Sequence, residues 1–134
     1  KSVEVSNLYK DGLVEDIQSL KEIFEQWLNN HTIDSQDKQI VIAGKQAARF
    51  DLPFLEKQGF GIDYFYNSKK FSKRIIDPSI LYTTWSEEVL PSTDLCLERS
   101  GLSTGIIHDA LQDSINVLSL IRAATANYTK VLYL

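Results

Sequence analysis

The stretch 106–122, IIHDALQDSINVLSLIR, sets one of two histidines among carboxylates at the head of an apolar run. Five residues of helix turn through about 500°, so His108 and Asp113 cannot share a face if both are helical. Asp109 with Gln112 three positions on is a capping-box pattern, which starts a helix at Ala110. His108 then belongs to the incoming loop and can fold back toward Asp113. Two more aspartates follow short β-branched runs, Asp51 after 39–44 and Asp77 after the run that begins at Arg74. Strand ends are where open α/β sheets place their ligand crevices. Three carboxylates so placed suit hard divalent cations, Mg²⁺ or Mn²⁺, which take oxygen ligands. Two such ions about 4 Å apart can hold both the attacking and the leaving oxygen of a phosphodiester. An imidazole beside them can take the proton of the attacking water.

Each of these residues also has a structural reading. Asp51 before Leu52 and Pro53 suits a helix cap, and taken alone it reads that way. Asp77 before Pro78 is a common turn opener and is read so here. Asp113 flanks the apolar stripe of Val117 and Leu120, where a half-buried carboxylate wants a partner. His108 alone reads as a surface loop residue. A second cluster, Lys69, Lys70, Lys73 and Arg74, is interleaved with Tyr64, Phe65, Tyr66 and Phe71 in an otherwise acidic chain. Such a loop can grip a nucleic acid backbone or stack a terminal base. The competing reading is a solvated loop anchored by buried aromatics.

The elements that must position these groups alternate along the chain. Leu13, Ile17, Leu20, Phe24, Trp27 and Leu28 recur at helical spacing over 13–28, and the polar residues that follow, to Lys38, form a loop. QIVIAG, 39–44, is a β-branched run closed by glycine and reads as a buried strand. A short helix is expected over 52–58 with Pro53 in its first turn, then an aromatic and basic connection through Lys73. RIIDPSILY supplies a second strand ending at Asp77-Pro78. A helix over 93–99 stops at Gly101, and the last runs from Ala110 toward Ala126. This order implies α/β architecture with a parallel sheet.

The 134 residues fit a single domain over 1–134. A net charge of −4 argues against a broad duplex-coating surface while leaving room for a cleft that holds a few nucleotides. The lone Cys96 cannot form an internal disulfide, so a reducing, intracellular setting, by default the cytoplasm, is expected. No apolar run reaches membrane-spanning length, so no membrane partner is expected.

AGKQAARFDLPFLEK and HDALQDSINVLSLIR, in that order, resemble the second and third motifs of the DEDDh 3'-5' exonucleases. That superfamily includes polymerase proofreading subunits, oligoribonuclease and ribonuclease T. The resemblance covers Gln39 to Arg122 and implies a ribonuclease H-like mixed sheet with flanking helices. It implies Asp51 and Asp113 as ligands of two divalent metal ions, Mg²⁺ or Mn²⁺, with His108 as general base. The implied substrates are single-stranded or frayed 3' ends of RNA or DNA, released as nucleoside monophosphates. Gln46 stands where the family often carries asparagine.

The family's first motif, Asp-x-Glu on a central opening strand, occurs nowhere in the chain. The resemblance therefore implies that the N-terminal strands are missing and that the strand over 39–44 has an unpaired edge. The sequence omits part of the protein, or a second polypeptide completes the sheet (a homodimer being one form), or the domain is an inactive module that binds nucleic acid ends or a protein. The first of these is the expectation.

Overall fold

A computed structural model describes residues 19–31, 39–104 and 109–132. Helix α1, Leu20–His31, sets Leu20, Phe24 and Leu28 on one face by their four-residue spacing. Leu28 is buried, and Leu20 and Phe24 pack beside it. The helix continues past the expected stop at Asn29, because the His31 imidazole closes it by donating from Nδ1 to the Trp27 carbonyl at 2.8 Å. Residues 13–18 of the predicted helix lie outside the described residues.

Strand β1, Ile40–Ala43, pairs in parallel with β2, Phe71–Ile76, in a two-stranded sheet. The expected α/β class and parallel pairing hold for the described residues. Two details differ. First, β1 is not buried on both faces. Ile40 and Ile42 pack on the core while Val41 is 49% exposed, because cover comes from one side only. Second, β2 starts earlier than the predicted Arg74. Its register runs Ile40 to Phe71 and Ile42 to Ile75, so residues 72–74 stand opposite Val41 alone. The Ser72 hydroxyl accepts from the Arg74 amide at 3.1 Å and steadies this bulge.

Between the strands lie helix α2, Asp51–Leu55, a wider π-type turn, Glu56–Phe60, and a short helix α3, Tyr64–Asn67. They fold the aromatics inward. Phe60, Phe65 and Phe71 are buried with Leu28 and Leu52, and Phe24, Tyr64 and Tyr66 pack against them. The rings meet mostly edge to face, Phe65 and Phe71 at 5.3 Å and Phe24 and Phe60 at 5.6 Å.

A second, smaller cluster follows. β2 ends at Ile76, and the carboxylate of the next residue, Asp77, caps the 3-10 helix Pro78–Tyr82. Helix α4, Thr93–Ser100, is capped by Ser92 and ends at Gly101 in the left-handed conformation, φ 74°, as its sequence predicted. Helix α5, Ala110–Leu132, starts at the predicted residue and runs beyond the expected end at Ala126. Asp109 Oδ1 accepts from the Gln112 amide at 2.8 Å, which realises one half of the capping box. The Gln112 side chain instead donates forward to Asn116. Cys96, Leu97 and Leu120 are buried here against Tyr82 and Leu102. Among the described residues no helix is long and apolar enough to cross a membrane.

Candidate active site

The chain leaves β1 through Gly44 into a tight turn over 45–50. A Cβ on Gly44 would lie 2.8 Å from the Ala47 Cβ, so the turn requires a glycine there. Gln46 takes φ 52° and sends its carbonyl to the amides of Arg49 and Phe50 at 2.9 and 3.1 Å. The Ala47 carbonyl accepts from the Leu52 amide, so the turn runs directly into α2. Asp51 is the first residue of that helix, with Phe50 at the cap position. The capping reading of Asp51 is not realised, and its side chain is exposed.

The turn forms one wall of an open crevice of about 850 Å³ at the carboxyl end of β1. Asp51 lines this wall; Asp94, at the start of α4, and Asp113, in the first turn of α5, line the other. Three carboxylates from three elements therefore border one space. Asp113 is exposed rather than half-buried, so it needs no protein partner to offset desolvation. Ser92, Thr93, Ser114 and Asn116 add neutral polar groups. The walls are tied by Lys45, whose ammonium donates to the Pro91 carbonyl at 2.6 Å. The buried Cys96 thiol shares that carbonyl at 3.9 Å, and burial pushes its pKa up.

Asp77 is not part of the lining. Its Oδ1 accepts from the Ser79 amide at 3.0 Å and from the Ser79 hydroxyl, and its Oδ2 from the Gln46 amide at 2.9 Å. Burial raises its pKa, but the Ser79 and Gln46 hydrogen bonds and the Lys45 charge outweigh it, and the net shift is downward. The turn-opener reading of Asp77 holds.

His108 lies outside the described residues. Asp51 and Asp113 offer the oxygen donors that hard cations take. Among the described residues, however, no group of three or more His, Cys, Asp or Glu side chains is gathered closely enough to hold a metal ion.

None of the four predicted basic contacts lines the crevice. Lys69 and Lys70 precede β2, at the end of the sheet opposite the crevice, and Lys73 and Arg74 are exposed on its bulge. The Lys70 ammonium donates to Asn29 at 3.2 Å, tying β2 to α1. Of the interleaved aromatics, Phe65 and Phe71 are buried and Tyr64 and Tyr66 pack on them, so these rings anchor the segment rather than face solvent.

Lys45 and Asp94 carried no role in the sequence reading. A lysine directly after a strand-closing glycine and an acid two residues after a serine cap were the available signals. No family model, no curated protein and no solved structure matches this chain.

Proposed function

We propose that the crevice is part of a two-metal phosphodiesterase site, and that the protein is a DEDDh-type 3'-5' exonuclease with a ribonuclease H-like fold. The observation that carries this reading is that Asp51 and Asp113, distant in sequence and on different helices, line one crevice at the carboxyl end of a parallel strand. Asp51 and Asp113 would hold the cations, and Asp94 lines the same space. When bound, divalent ions neutralise charge on the phosphodiester and lower the pKa of the attacking water. The amino-terminal ends of α4 and α5 open on the same space, which favours a phosphate. His108, next in sequence to the α5 cap, would take the water's proton. Lys69, Lys73 and Arg74, away from the crevice, would contact backbone phosphates remote from the cleaved end; Lys70 already serves Asn29.

A second reading, a module that binds nucleic acid ends or a protein partner without cutting, is favoured by the lack of a three-ligand group among the described residues. Hydrolysis of a 5'-labelled single strand with Mn²⁺ separates the two. The exonuclease reading expects stepwise shortening and nucleoside monophosphates, with turnover falling about 10²–10⁴-fold in His108→Ala. Asp113→Asn should also weaken Mn²⁺ binding, because an amide lacks the charge that holds a hard cation. End binding without shortening would select the inactive module.

A further inference from the structure

We infer that Asp77 is a positioning residue for the crevice, acting through the Gln46 amide to set the turn that presents Asp51. The functional half of this inference rests on the cation-site reading above. The two carboxylate oxygens of Asp77 divide their work. Oδ1 serves the amide and hydroxyl of Ser79 and so caps the 3-10 helix Pro78–Tyr82. Oδ2 reaches back across the ends of the two strands to the Gln46 amide. Gln46 adopts a left-handed φ of 52°, which a side-chain-bearing residue holds only where surrounding contacts impose it. Its amide is fixed by Asp77, and its carbonyl fixes the amides of Arg49 and Phe50, the two residues before Asp51. A single chain of hydrogen bonds thus runs from Asp77 through Gln46 to Phe50, the residue at the cap position of α2. Lys45, beside Gln46, adds an attractive charge to Asp77 while its ammonium is bonded to the Pro91 carbonyl on the far wall.

The division between the oxygens supplies a clean test, Asp77→Asn. Asparagine caps as well as aspartate, so its one oxygen serves the two Ser79 donors. Its amide nitrogen then faces the Gln46 N–H, donor against donor. Full-length wild type, Asp77→Asn and Asp77→Ala are compared by amide hydrogen exchange and by Mn²⁺ titration. In Asp77→Asn, Gln46 exchange should quicken about tenfold, the effect of losing one hydrogen bond to a charged group, while Leu97 and Leu120 keep their protection. Mn²⁺ affinity should fall about three- to tenfold in the same variant, and Asp77→Ala should lose both bonds and shift further. Unchanged Gln46 exchange in Asp77→Asn overturns the inference. So does an equal change at Leu97 and Leu120, which would mark a general stabilising role. Faster Gln46 exchange with unaltered Mn²⁺ affinity overturns the link to the crevice. Wild type that takes up no Mn²⁺ defeats the cation reading itself, and Gln46 exchange alone then decides whether Asp77 positions the turn.

Discussion

The two apolar clusters are built by different chemistry. Around the sheet, Phe60, Phe65 and Phe71 interlock with Phe24 and Tyr64, and ring area does most of the work. Between α4 and α5, Cys96, Leu97 and Leu120 are fully enclosed, and polar ties supplement them. The Tyr82 hydroxyl donates to the Leu120 carbonyl at 2.7 Å, and Arg99 donates both to the Tyr82 carbonyl and, through two nitrogens, to Glu87. The crevice lies where these two bodies meet. Asp51 hangs from the aromatic one, Asp94 and Asp113 from the other, so the site depends on both and on the bonds that join them. Small apolar volume can be compensated by directed bonds, but such bonds respond to pH and salt in ways that buried rings do not.

Truncation tests the apolar half of this contrast. Phe71 is 2% exposed and touches Phe24, Tyr64 and Phe65. Phe71→Ala should cost about 3–5 kcal/mol in chemical denaturation, from lost transfer energy and the cavity left behind. Leu97→Ala, equally enclosed but in the smaller cluster, should cost about 2–4 kcal/mol. A larger loss for Leu97→Ala than for Phe71→Ala would invert the ranking of the two bodies.

The polar ties should fail at opposite ends of the pH scale. The Tyr64 hydroxyl donates to Glu25 at 2.8 Å, and burial, then that hydrogen bond, pushes its pKa up to about 12. A folded-state pKa above the unfolded value of about 10 means stability present below pH 10 and lost as pH rises toward 12. Wild type should therefore show an alkaline loss of stability that Tyr64→Phe lacks, read by thermal melts across that range. Identical alkaline limbs would remove Tyr64 as the sensitive tie of the aromatic body.

Glu87 gives the smaller, opposite effect. Hydrogen bonds from Arg99, then from the Thr84 amide, draw its pKa down from 4.5 to about 2. A depressed folded-state pKa means stability present above about pH 4.5 and lost as pH falls toward 2. The pair is solvent-accessible, so salt should screen it. In low salt, Glu87→Gln should flatten the acid limb of the stability curve, and the difference from wild type should shrink in 1 M salt, roughly a 3 Å screening length. A difference that persists in high salt would mean the tie works by packing rather than by charge.

Much of this molecule is written locally. The Asp109 cap fixes where α5 begins, Gly101 fixes where α4 ends, and IVIA forms β1, because each depends on relations within a few residues. The resemblance, too, rests on two short segments, and those segments alone imply metal-ligand roles for Asp51 and Asp113. Other features depend on groups far apart in the chain. β2 begins at Phe71 rather than Arg74 because that ring is drawn into the aromatic cluster, and the bulge that follows turns Lys73 and Arg74 outward. Helix α3 lies in a segment read as a connection, since its rings find a core to bury in. Asp77 sits where sequence predicted a turn opener, yet its second oxygen is committed to Gln46, thirty-one residues away. Local signals are set by backbone hydrogen bonding within a turn or two. The meeting of Asp51, Asp94 and Asp113 at one crevice is set by how two separately packed clusters are held against each other, and no short stretch of sequence encodes that.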